Sequence, residues 1–196
     1  MNKNHPEAGS IISVEPIRNV KDIVTIKKML AGNARDYALF VVGINTAFRA
    51  SDLLALSAGA VRHLSPGDTL AVREKKTGKE RRVTLNNAAY TAINALLATL
   101  SDAADTDPLF QSRKGSKALT VPTLNNLVKA WCEAINLHGN YGSHTLRKTF
   151  GLHQRIAFNT DIPTLMTMFG HSTQKQTLHY LGIQADEVRD AYMNEL

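Results

Sequence analysis

Between residues 69 and 86 the chain changes its apolar period, and that change limits the fold more than any other feature. TLAVREK (69–75) and ERRVTLN (80–86) flank KTGK and read as two antiparallel strands joined by a tight glycine-containing turn. The segments around them repeat at helical spacing. NVKDIVTIKKML (19–30) places Val20, Ile23, Ile26 and Leu30 on one face behind an Asn19 cap. ARDYALFVVGINTAF (34–48) is more fully apolar and predicts a central helix. SDLLALSAGAVRHL (51–64) continues as helix after a break at Arg49, with Ser51 or Asp52 as its cap, and SPGD (65–68) is a turn.

Beyond the strands, Asn86 or Asn87 caps a helix over 88–100. An acidic loop and the short PLFQSRKG segment lead into a further helix over 121–137. Four more helices follow: HTLRKTFGLHQRIAF, IPTLMTMF, TQKQTLHYL and ADEVRDAYMNEL. The predicted class is mainly α with one small antiparallel β-sheet (α+β). At 196 residues, with 43% apolar and 20% charged residues, the chain suits one ordinary domain. Residues 1–15 lack the apolar stretch of a secretory signal and read as a flexible arm ahead of a domain over 16–196. No apolar run is long enough to span a membrane. The single cysteine, Cys132, excludes an intramolecular disulfide and favours a reducing cytosol.

Twenty-three Lys and Arg against 17 Asp and Glu give a net charge of +6, compatible with a polyanionic partner. The cations concentrate in REKKTGKERR (73–82), where Lys75, Lys76, Lys79 and Arg81 form either a solvated ribbon or a turn that lies on a phosphate backbone. His144 and Arg147 share a helix face at i and i+3, as surface residues or as a proton-transfer group and a phosphate fork. Arg49 stands between apolar stretches, where a charge is costly unless paired with Asp52 or placed at a site. His171 and Tyr180 can both be ordinary packing residues. His5, His63, His138, His153 and His179 show no metal-ligand spacing.

The order of these features is more specific than any one of them. Arg49 in TAFRASDLLAL, Lys76 in KTGKER, HTLR, then GHS and nine residues to Tyr180 resemble the tyrosine recombinases, the phage integrase family, over roughly residues 16–196. The resemblance implies that Arg49 and Arg147 clamp a scissile phosphate, that Lys76, His144 and His171 are its acid, base and hydrogen-bonding partners, and that Tyr180 is the nucleophile. Lys148, beside Arg147, joins the hairpin cations as a DNA contact. Asp52 stands where the family has Glu, Phe169 where Leu precedes Gly-His, and Thr84 where Pro is common.

The implied activity is site-specific recombination of double-stranded DNA through a 3′-phosphotyrosyl intermediate, with no metal, ATP or other cofactor. A topoisomerase of type IB and a non-catalytic DNA-binding regulator are the alternatives. The complete residue set disfavours the regulator, and the spacing and small size disfavour the topoisomerase. No separate N-terminal core-binding domain is expected, as in the short fimbrial phase-variation invertases. Self-association on DNA, as a tetrameric synapse formed from chains that are monomers when free, is expected through the amphipathic segment 184–196. A cytoplasmic place and a bacterial, phage or mobile-element origin complete the expectation.

Overall fold

A computed structural model describes residues 14–73, 78, 80–113, 115, 117–182, 189 and 192–195. Lys75, Lys76 and Lys79, residues 1–13 of the expected arm, and most of the expected terminal helix lie outside the described residues. Glu15 is already tied to the domain, its amide donating to Asn140 O at 2.7 Å. Two residues on, Ile17 is buried and its amide donates to Thr149 Oγ1 at 2.9 Å.

Helix α1 (Val20–Leu30) begins at Asn19, whose side chain accepts from the Lys21 amide at 2.8 Å. Such a cap stabilises a helix start by about 1 kcal/mol. Helix α2 (Ala34–Gly43), capped by Asn33, buries Asp36 and then every residue from Ala38 to Gly43. Burial all round makes it the central helix, and α1 packs on it. It stops five residues short of the predicted end. Asn45 Nδ2 and Thr46 Oγ1 donate back to the Val41 and Val42 carbonyls at 2.8 Å, satisfying them from the side chains while the backbone turns away. Ala47 then takes a left-handed φ of 54°.

The predicted helix over 51–64 is two short ones, α3 (Ala50–Leu53) and α4 (Ala58–Arg62). Ser57 caps α4 and pairs as an isolated bridge with Pro108, so the chain is extended at Ser57 where a continuous helix was expected. The residue before α3 is Arg49, without a side-chain cap bond, so neither Ser51 nor Asp52 serves as its cap.

Strands β1 (Thr69–Arg73) and β2 (Glu80–Thr84) pair antiparallel from Thr69↔Thr84 to Arg73↔Glu80, as predicted. Helix α5 (Asn87–Leu97), capped by Asn86, packs on α2. Helix α6 (Val121–Ala134), capped by Thr120, adds Trp131, which meets Phe40 edge-on at 5.9 Å. Helices α7 (Thr145–Ile156), α8 (Ile162–Phe169) and α9 (Gln174–Leu181) complete the described elements. No helix among the described residues is long and apolar enough to cross a membrane.

The apolar interior divides in two. The main cluster gathers α1 to α6 around Phe40, Leu39, Leu53, Ile93 and Phe110, each large side chain contributing about 1.5–3 kcal/mol by burial. A small cluster of Ala47, Phe150, Leu165, Phe169 and Leu181, with Ile162 and Tyr180 packed against it, joins α7, α8 and α9. Gly151 makes that junction possible. A Cβ there would sit 2.7 Å from Leu181 Cδ2 and 2.8 Å from Phe169 Cε2.

Candidate active site

Three chain segments meet over the small cluster: the loop leading into α3, the first turns of α7, and the junction of α8 and α9. The junction follows from its residues. Gly170 ends α8 at φ 64°, ψ 39°, a conformation glycine adopts without strain. Thr173 caps α9 by accepting from the Gln176 amide at 3.2 Å, while Gln176 Oε1 accepts from the Ser172 amide at 3.3 Å. This is a capping box shifted by one residue. It leaves His171 between the helices, two turns ahead of Tyr180.

The structure brings Arg147, His171 and Tyr180 into direct contact around Phe169. The rings of His171 and Tyr180 meet edge-on at 5.3 Å, and His171 Nδ1 shares a 2.9 Å hydrogen bond with the buried Thr177 Oγ1. Phe169 is fully buried, stacks on His171 at 5.2 Å and 25°, and lies 5.2 Å from the Tyr180 ring. The Arg147 guanidinium sits 4.8 Å over the same Phe169 ring. Arg147 is buried and donates to Phe169 O at 2.7 Å and, through Nη1, to Ala47 O. One arginine thus ties the α8 end to the loop that carries Arg49.

Arg49 is one-fifth exposed, with Nη1 3.8 Å from Oδ2 of the buried Asp52. That is a long contact for an ion pair. It orients the guanidinium without enclosing it. His144 stands at the start of α7, exposed, with no side-chain cap bond. Lys148 holds its Nζ 5.1 Å over the Tyr180 ring. Arg81, expected in a solvated ribbon or on a phosphate backbone, is instead turned inward. It is 9% exposed, and its Nη1 donates to Ala47 O at 3.2 Å and Met168 O at 2.7 Å.

The electrostatics follow from this crowding of cations. Burial, then Arg147, Arg49 and Arg81, bring the His171 pKa down to about 4, so its ring is neutral at pH 7. His144 is lowered as well, first by desolvation and then by Arg147, Lys148 and Arg49. Burial lowers Arg147 to about 10, which still leaves it charged. Tyr180 is pushed above its ordinary value by burial, against the charge and hydrogen bonding of Arg147 and the charge of Arg49. Its Oη is buried, with no hydrogen bond of regular geometry. A phenol in this state is protonated at neutral pH and needs a proton acceptor before it can attack.

The arrangement suits a tetrahedral anion. It has guanidinium groups, a neutral imidazole, and a buried phenol beside Arg147. Sequence reasoning missed three supporting residues. Ala47 offers the carbonyl that Arg147 and Arg81 share, Phe169 is the platform, and Thr177 orients His171. For Arg81 the signal was present: Arg81, Val83 and Leu85 alternate on one face, so the arginine points the way the apolar residues do.

Comparison with known proteins bears on the chain as a whole. The family model described as "Phage integrase family" matches residues 17–187. The chain is 35% identical over 182 residues to the probable integrase/recombinase YoeC of Bacillus subtilis, covering 91% of this chain and 95% of YoeC. It is 27% identical to the tyrosine recombinase XerC of Pelobacter propionicus over 158 residues, 81% of this chain and about half (51%) of XerC. Among solved structures, the XerH site-specific recombinase in its post-cleavage complex with a palindromic difH substrate superposes with a TM-score of 0.75. The identity is 19%, over 93% of this chain and 53% of XerH. The chain therefore belongs to the phage integrase family, the tyrosine recombinases.

Proposed function

We propose that this chain cleaves and rejoins double-stranded DNA at specific sites, with Tyr180 as the nucleophile. The observation that carries the reading is the Tyr180 hydroxyl, buried without a regular hydrogen bond beside Arg147 and edge-on to His171. Tyr180 Oη attacks the scissile phosphorus as its proton passes to a neighbouring base. The bond to the 5′ oxygen breaks, leaving a 3′-phosphotyrosyl link and a 5′-hydroxyl once that oxygen is protonated. Attack by a 5′-hydroxyl on the link restores the phosphodiester and the phenol, so bond energy is conserved.

Arg49 and Arg147 neutralise charge on the non-bridging oxygens, a role worth about 3–4 kcal/mol for a well-placed donor. His171, neutral when free, hydrogen-bonds the same oxygens. His144, also held below its ordinary pKa, is the acceptor for the tyrosine proton, and Lys76 is the acid for the leaving oxygen. Lys148, Lys75 and Lys79 contact the backbone of the duplex.

Support comes from the kinship with XerC and YoeC and from the fold shared with XerH, which was solved on its DNA substrate after cleavage. Exchange of strands needs more than one protomer on DNA. In this reading the segment 184–196 links them, as a tetramer when two sites are joined, in a cytoplasmic setting.

The test uses a pool of nicked duplexes with randomised central sequence, which lose a short 5′-hydroxyl fragment on cleavage and trap the covalent complex. The wild-type chain is expected to form an adduct stable to denaturant, enriched for one sequence. Tyr180→Phe is expected to bind the enriched duplex and form none. An adduct that persists in Tyr180→Phe would defeat the assignment of the nucleophile.

A further inference from the structure

We infer that Arg81 is a positioning residue for the phosphate clamp, locking the loop before Arg49 to the end of α8 so that Arg49, Arg147 and His171 keep one spacing. The inference rests on the phosphodiester chemistry proposed above. It begins with an anomaly of burial. Arg81 lies on β2 opposite Val72, on the inward face of a two-strand ribbon, and is 9% exposed. A charged side chain is seldom placed there unless the interior supplies acceptors.

Among its acceptors are two backbone carbonyls from distant parts of the chain. Arg81 Nη1 donates to Ala47 O at 3.2 Å and to Met168 O at 2.7 Å. Ala47 is two residues before Arg49, and its left-handed φ of 54° is a conformation a non-glycine residue holds only when its surroundings fix it. Met168 is three residues before His171. Arg147 makes a parallel pair of bonds, to Ala47 O and to Phe169 O. The two arginines therefore span the same gap at successive residues of α8 and share one carbonyl. Arg147 is also expected to touch the phosphate, and Arg81 holds the span beside it.

Two further observations place the Arg81 guanidinium at the site. A Cβ on Gly170 would lie 2.9 Å from Arg81 Nη2, so the turn that presents His171 is built around this group. The Arg81 charge also acts on both His171 and Arg147.

Lysine at position 81 keeps the charge but has a shorter reach and lacks the planar guanidinium. Glutamine removes the charge. Single-turnover adduct formation on the enriched duplex is measured for Arg81→Gln and Arg81→Lys, with DNA affinity measured separately. The expected result is a rate constant about 10- to 100-fold lower in Arg81→Gln and at least about fivefold lower in Arg81→Lys. Affinity stays within about threefold, and the adduct reaches full amplitude. An unchanged rate constant in folded Arg81→Gln overturns the inference. So does a reduced amplitude at unchanged rate, which marks a fraction of unfolded protein. If Arg81→Gln does not fold, Arg81→Lys decides by the same criterion.

A second readout needs no DNA. In the free protein the His171 ring, faced by Arg147, Arg49 and Arg81, is titrated by NMR. Its midpoint is expected to rise in Arg81→Gln and stay low in Arg81→Lys, and a midpoint unmoved by Arg81→Gln overturns the placement. A wild-type chain that forms no adduct with any duplex would count against the proposed function, while the ring titration would still report on Arg81.

Discussion

Helix α2 buries Ala38, Leu39, Phe40, Val41 and Val42 in succession, whereas α9 buries Thr177 and Leu181 and leaves Gln174, Lys175, Gln176 and His179 exposed. The first is the axis of the main core, and the second carries the proposed nucleophile, Tyr180. Arg147 and Arg81 are fastened to the frame by backbone carbonyls. Tyr180 instead rests on a five-residue apolar cluster and the Phe169 ring. Segments with few buried apolar contacts open at lower free energy than core helices. The division places Arg147 on structure tied by backbone carbonyls and the proposed attacking group on the element that is cheaper to move.

Substitutions on the two sides are expected to separate cleanly. Arg147→Ala should have the largest effect on activity, lowering adduct formation by about 10³-fold or more. It removes the proposed transition-state donor together with the bonds to Ala47 O and Phe169 O. Single-turnover kinetics on trapped duplexes reads it directly, and a loss under tenfold would place the clamp elsewhere.

Leu39→Ala, in the main cluster, should lower global stability by about 2–5 kcal/mol in denaturant titration. Leu181→Ala should cost less globally yet speed amide exchange in α9. Equal global losses with no change in exchange would erase the contrast between the two regions.

The His171 ring supplies a smaller, pH-dependent effect. The unfolded chain titrates this group near 6.5 and the folded protein near 4, so between those values the unfolded state binds more protons. The stability His171 contributes is complete above about pH 6.5 and is lost as pH falls through 4. His171→Gln should flatten the acid limb of the stability curve between those limits, and an unchanged limb would deny the depressed value. The smallest effect belongs to Ala47, where glycine removes the cost of a left-handed residue. Ala47→Gly should be neutral or stabilising by up to about 1 kcal/mol in the same titrations.

Much of this was legible in the sequence, for definite reasons. Asn19 and Asn86 act through local chemistry, and each caps the helix expected of it. The change of period at residue 69 marked the ribbon because alternation is a local signal too. The helices over 34–48 and 51–64 were over-extended. Their true ends depend on Asn45 and Thr46 bonding backward and on Ser57 pairing with Pro108 across the fold. At the site, the order of motifs named Arg49, His144, Arg147, His171 and Tyr180, and the structure gathers Arg147, His171 and Tyr180 around one ring. It could not name Phe169 or Ala47 as supports. Their roles arise from contacts between segments about a hundred residues apart, such as Arg147 with Ala47.

The most direct measurement is to digest the trapped protein–DNA complex and locate the nucleotide by mass spectrometry. The mass increment should fall on the phenolic oxygen of Tyr180, as a 3′-phosphodiester, in the peptide that spans α9. An increment on any other residue, or a 5′-linked nucleotide on Tyr180, would contradict the proposed chemistry.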